Sequence, residues 1–127
     1  MEYSVIVILL ALIQYLLFTL KTGTSRPKRN IHAPKISGDE YWERLFRVQQ
    51  NTMEQLVVFI PAVIAFAHYV SGIWVLLPGM LFIIGRQIYA MAYVKEPKSR
   101  TLGFALTFFS NVGLVLVSLG FVIVSIL

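Results

Sequence analysis

Apolar and polar residues fall in long blocks along this chain. Apolar residues fill about 3–20, a polar stretch follows at 21–40, and apolar runs return from Leu56 to the end, interrupted only at Ser71-Gly72 and at Lys95-Glu96-Pro97-Lys98. An apolar block of about 20 residues, rising about 1.5 Å per residue, matches about 30 Å of hydrocarbon, so such blocks read as membrane-crossing helices. The pattern predicts four helices, at about 3–20, 41–70, 73–94 and 99–126, within a single domain covering 1–127. The fold class expected is all-α, an integral-membrane antiparallel four-helix bundle. The second block is the longest. Thirty residues make about 45 Å of helix, so its first turns must project out of the bilayer.

Local signals refine this outline. The first block has Glu2, no basic segment ahead of it and no small-residue cleavage site after it, and reads as a retained anchor rather than a signal peptide. Its one interior amide, Gln14, is expected to pack against a neighbouring helix. Gly23, Pro27, Pro34 and Gly38 are breakers in the polar stretch 21–40, which reads as a loop. Pro61 is expected to bend the second helix, and Pro78-Gly79 the third. His68 reads as interfacial or packed, and His32 as solvated. Asn111, Ser118 and Ser125 recur every seven residues and predict a packing seam on the last helix.

Composition agrees with the block pattern. The chain is 57% hydrophobic and 13% charged with a mean hydropathy of +0.75, against about 25% charged residues in soluble proteins. It has no cysteine, so disulfides and a protein thiol nucleophile are excluded. The net charge of +5 does not call for nucleic acid. All eleven Lys and Arg lie in the first and third loops or in the helix segments leading to them. The excess of basic residues on one side predicts a multi-pass protein with loops one and three cytoplasmic and both termini on the outer or lumenal side.

The candidate chemistry lies in the stretch Glu43 to Glu54, which runs into the second apolar block without a turn signal. On a helix Arg47, Asn51 and Glu54 fall at i, i+4 and i+7, on one face. Arg86, Tyr89 and Tyr93, at i, i+3 and i+7, make a second polar stripe on the third helix. Counting from the uncharged side puts Glu54 about 24 Å deep and Arg86 about 20 Å deep. A charge at mid-membrane costs about 2.5–3.5 kcal/mol on the insertion scale, so the two are expected to be partners, directly or through a ligand. Arg100 opens the last helix on the same side. Together these residues predict a polar pocket facing the cytoplasm and suited to a small zwitterion with several carboxylates: Arg binds carboxylates bidentately and Glu binds an amine. Plainer readings are a solvated helix end for the first stripe and an aromatic belt for the tyrosines.

The motif Arg47-x-Gln49-x-Asn51-x-x-Glu54, followed by Arg86-x-x-Tyr89-x-x-x-Tyr93 and Arg100, resembles the superfamily of membrane-associated proteins in eicosanoid and glutathione metabolism (MAPEG). Microsomal glutathione transferases, leukotriene and prostaglandin synthases and a lipoxygenase-activating protein belong to it, and the likeness spans nearly the whole chain. The resemblance implies a homotrimer with glutathione as co-substrate, bound between subunits, and no metal. It implies glutathione contacts from Arg47, Gln49, Asn51, Glu54, Arg86, Tyr89 and Tyr93. A loop arginine, Arg26 or alternatively Arg29, would reach in from the neighbour. Arg100 would be the catalytic residue facing the thiol, with Thr101 able to hydrogen-bond there. Gln55 departs from the pattern, because the synthase-like branch has a tyrosine after the motif glutamate.

The activity implied is conjugation of the glutathione thiolate to lipophilic electrophiles in the membrane, with glutathione peroxidase activity as an extension. Two other readings are kept beside it. One is a non-catalytic lipid-binding or scaffold protein of the same fold. The other is a small proton-coupled multidrug transporter, although such transporters carry their carboxylate in the first helix, and 3–20 holds no ionisable group but Tyr3 and Tyr15.

Overall fold

The computed structural model describes residues Met1–Leu127. It is all helical: α1 (Glu2–Lys28), α2 (Glu40–Tyr69), α3 (Leu76–Lys95), a 3-10 turn (Pro97–Arg100) and α4 (Thr101–Ile126). By length and composition, all four long helices can cross a membrane. Only 28 of 127 residues are buried, and the exposed ones include Leu16, Leu17, Val57, Leu77, Phe109 and Leu116. A surface this apolar requires hydrocarbon as its solvent.

Two boundaries differ from the sequence pattern. The first helix does not stop near residue 20 but continues to Lys28, so the loop is only 29–39. Tertiary contacts carry it through the breakers. Thr22 is buried and its Oγ1 reaches Leu45 O at 3.4 Å, while Trp42 Nε1 donates to Thr22 O at 3.0 Å. Gly23 faces open space, and Pro27 sits in the last turn, where one lost hydrogen bond is offset by this packing. The third helix begins at Leu76 rather than 73. Pro78 therefore lies in its first turn, where a missing N–H removes no helical hydrogen bond.

The loop is tied down at both ends. The Asp39 carboxylate accepts from Trp42 N at 2.9 Å, capping α2, and Glu43 Oε2 accepts from Gly38 N at 3.1 Å. Arg29 pairs with Asp39 at 3.8 Å and lies 4.4 Å over the Tyr41 ring. At the other end of the same side, Arg44 Nη1 donates to the carbonyls of Val94 and Lys95 at 3.1 and 3.2 Å, closing the C-terminus of α3.

The main core joins α1, α2, α3 and α4 through Val7, Ala11, Phe59, Val63, Phe82 and Leu114. Phe59 and Phe82 stack with centroids 3.8 Å apart. Small residues set the helix spacings, as is usual where no hydrophobic effect drives helices together. Val7 packs onto Gly79, and α3 and α4 meet backbone to backbone at Gly85 and Gly103. The interior amides pair as anticipated for Gln14, whose Nε2 donates to Ile83 O at 2.9 Å. Asn111 Nδ2 donates to Gln55 Oε1 at 3.0 Å, linking α4 to α2. Asn111 and Ser118 are buried in the α4 seam, but Ser125 is exposed; Gly103, Thr107 and Ser110 complete the seam instead.

Candidate functional site

The site is built at the loop end of α2, α3 and α4. Because α2 is a single unbroken helix through Glu54, residues 47, 51 and 54 line up on one side of it. The Gly85–Gly103 crossing holds the head of α4 against α3, which brings Arg100 beside the α3 tyrosines. The result is a cavity of about 280 Å³ lined by Arg47, Gln50, Asn51, Glu54, Tyr89, Tyr93 and Arg100. Six of the residues singled out from the sequence thus converge on one space. Gln50 was not among them, though its place between Arg47 and Glu54 at i+3 and i−4 put it on the same helical face.

The geometry gives each group a distinct task. Tyr89 and Tyr93 stack at 5.5 Å with rings nearly parallel, forming an aromatic wall of two layers. The Arg86 guanidinium lies over the Tyr89 ring, 4.3 Å from its centroid. Asn51 Oδ1 is buried without a protein hydrogen-bond partner and stands one turn from the exposed Glu54 carboxylate. Arg47 and Arg100 are both exposed, and Arg100 Nη1 donates to Pro97 O at 3.0 Å. The lining therefore offers two guanidinium groups, one carboxylate, two amides and two phenols.

Four other candidate residues lie outside this cavity. Arg86 is fully buried and none of its guanidinium nitrogens has a protein acceptor. The ion pair expected between Glu54 and Arg86 is not formed; the ion pair of the chain is Arg29–Asp39. Counting residues fixes depth but not direction, and Arg86 turns into the bundle while Glu54 turns out of it. Gln49 lies about 200° around α2 from Arg47, and so points away from the cavity. Arg26 is bound to its own loop: Nη1 donates to Lys35 O at 2.8 Å and the guanidinium lies 4.5 Å over Trp42. Thr101 lines an adjoining cavity of about 480 Å³ with Lys98, Arg100 and Phe104. Gln55, where the resemblance led one to look for a tyrosine, is occupied by Asn111. No group of His, Cys, Asp or Glu is arranged to hold a metal ion.

A polytopic four-helix membrane bundle with a loop-side pocket of arginine, amide, carboxylate and tyrosine defines the class. The MAPEG family model matches residues 4–120, and the chain belongs to that family. Among its relatives is an uncharacterized protein of Synechocystis, 37% identical over 106 residues, covering 84% of this chain and 77% of that protein. Human microsomal glutathione S-transferase 2 is 32% identical over 90 residues, covering 71% of this chain and 61% of its own length. The mouse protein of the same name is 33% identical over 99 residues, covering 78% of this chain and 67% of its own.

Proposed function

We propose that the chain is a membrane-bound glutathione transferase that ionises the glutathione thiol beside Arg100 and conjugates it to lipophilic electrophiles. The observation that carries this reading is the charge pattern of the cavity. Two guanidinium groups and one carboxylate line it, and ionised glutathione offers a carboxylate and a thiolate to the former and an ammonium to the latter. Arg47 suits a ligand carboxylate bidentately. Glu54 and the unpartnered Asn51 Oδ1 make an acceptor pair for the ammonium. The stacked tyrosines form a wall along the peptide, and Arg86 supports that wall from behind.

The chemistry needs a cation at the sulfur. A thiol of pKa about 8.5 is only about 3% ionised at pH 7, and the thiolate is the nucleophile. A charge-assisted hydrogen bond of about 1.5–3 kcal/mol lowers that pKa by about one to two units. Arg100, at the junction of both loop-side cavities, is the group suited to this. The thiol proton leaves to water, the thiolate sulfur forms a bond to the electrophilic carbon, and the displaced group departs with the bonding electrons. Thr101 adds a hydroxyl beside the sulfur. The same thiolate can attack a lipid hydroperoxide oxygen, breaking the O–O bond and releasing the lipid alcohol once protonated; a second glutathione then converts the sulfenic acid to the disulfide and water, which would give peroxidase activity.

The site is completed in a homotrimer. Arg47 and Glu54 are exposed along a membrane-crossing helix of one subunit, and a neighbouring copy would cover them. Gln49, turned away from its own cavity, would serve the next one, as would Arg26 at the end of α1. Loops one and three, with their lysines and arginines, face the cytoplasm, so glutathione enters from that side and the electrophile from the bilayer. Turnover of glutathione with a chromogenic electrophile by the purified protein tests this reading. Undiminished turnover in Arg100→Ala would remove its central residue.

A further inference from the structure

A third cavity lies on the opposite side of α2 from the Glu54 stripe. It measures about 400 Å³ and is lined by Leu17, Phe18 and Lys21 of α1, Leu45 and Val48 of α2, and Gln87, Ala90, Met91, Val94 and Lys95 of α3. Leu45 is nine residues before Glu54, half a turn away around the helix, and the two cavities share no lining residue. The walls are apolar, and Gln87 is the one polar residue below the mouth. Both ends of the mouth carry lysine, Lys21 from α1 and Lys95 from the last turn of α3, and neither has a carboxylate within ion-pair distance. The C-terminal carbonyls of α3 are already taken by Arg44, so they do not engage the Lys95 ammonium.

We infer that this cleft binds an anionic phospholipid of the loop-side leaflet, one acyl chain in the cleft and its phosphate between Lys21 and Lys95. Depth supports the assignment. Lys95 ends its helix at the interface, and Gln87, eight residues earlier, marks a floor about 12 Å further into the hydrocarbon. The walls choose among occupants. Leu17 and Met91 are 59% and 61% exposed, so the cleft is open sideways to the bilayer. It therefore receives a molecule that is already in the bilayer plane, with a second chain lying along the outer face of α1. Two unpaired cations at headgroup level select negative charge, and each lysine near the membrane surface contributes about fivefold to affinity.

Native mass spectrometry of the full chain in mild detergent tests this, with dioleoyl phosphatidylglycerol and dioleoyl phosphatidylcholine offered together and oleate in a separate arm. The expected result is retention of phosphatidylglycerol over phosphatidylcholine by about 25-fold. In Lys21→Gln/Lys95→Gln the preference should vanish, while Lys28→Gln/Lys35→Gln, the same charge change on exposed residues away from the cleft, should keep it. Met91→Trp, which fills the apolar wall from an exposed position, should lower retention of both lipids. Equal retention of the two lipids by the unmodified chain overturns the proposal. So does an equal loss in the Lys28/Lys35 variant, which would mean diffuse charge, or retention of oleate without phosphatidylglycerol, which would mean a fatty-acid site.

Discussion

Gly103 of α4 rests directly on the backbone of Tyr89 in α3, so closely that a Cβ at 103 would collide with the Tyr89 main chain. That contact sets where the head of α4 stands relative to the aromatic wall. Gly103→Ala should therefore destabilise the bundle by about 1–3 kcal/mol, as overpacking does, and weaken glutathione binding as Arg100 moves off the cavity. Thermal unfolding in detergent and isothermal titration with glutathione check the two effects. Gly113→Ala and Gly120→Ala, at positions with open space around them, should be near neutral by both measures.

Arg100→Ala should separate binding from ionisation. Affinity for glutathione should fall modestly, because Arg47, Asn51 and Glu54 remain. The midpoint of the rate against pH should rise by about one to two units, since losing the cation raises the thiol pKa toward its free value. Activity would then be depressed near neutral pH and recovered as pH rises. Thiolate absorbance of the bound peptide follows the same midpoint, and Arg100→Lys should restore part of it.

Glu54 is assigned to the ligand ammonium, and a ligand without that amine isolates the contact. The unmodified protein should favour glutathione over its desamino analogue by about 10–150-fold, the range for a hydrogen bond to a charged group. Glu54→Gln should shrink that ratio strongly by weakening glutathione far more than the analogue. Competition binding measures the ratio directly. Equal losses for both ligands would mean that the carboxylate acts elsewhere.

The fully buried Arg86 has a tyrosine ring and no protein acceptors around it. Replacing an unpaired buried charge with a similar apolar volume is neutral or stabilising. Arg86→Met should accordingly unfold at the same or a higher temperature while glutathione affinity drops, because the Tyr89 ring loses its backing. A destabilisation above about 3 kcal/mol would instead indicate a strong partner for the guanidinium.

Gln55 and Asn111 tie α2 to α4 across the bundle. A double-mutant cycle with Gln55→Leu and Asn111→Leu should give a coupling of about 0.6 kcal/mol, the mean for hydrogen bonds between membrane helices. Thermal or denaturant unfolding of the four proteins supplies the cycle.

The helices were legible in the sequence because apolar length is a direct measure of membrane-crossing capacity. The α2 stripe was legible for a similar reason: on an unbroken helix, 47, 51 and 54 have no choice but to share a face. What sequence spacing could not supply was direction. Glu54 and Arg86 lie at similar depth, yet one turns outward and the other into the bundle, so their expected pairing fails. The continuation of α1 past Gly23 to Lys28 was hidden because its support comes from Trp42 and Leu45, about twenty residues downstream. Gln50 was there to be found, since it satisfies the same helical period as Arg47 and Glu54.

The glycine that fixes the head of α4 belongs to a buried seam along one face of that helix, and the opposite flank is exposed. Phe108 and Phe109 are exposed on that flank, beyond the anchored turn and outside both cavities that Arg100 lines. If the proposed transferase reading holds, exchanging these aromatic side chains would retune which greasy molecules are accepted and leave the Arg100 end untouched. The fold would thus keep the side chains that meet the bilayer apart from those that meet the loop-side cavity.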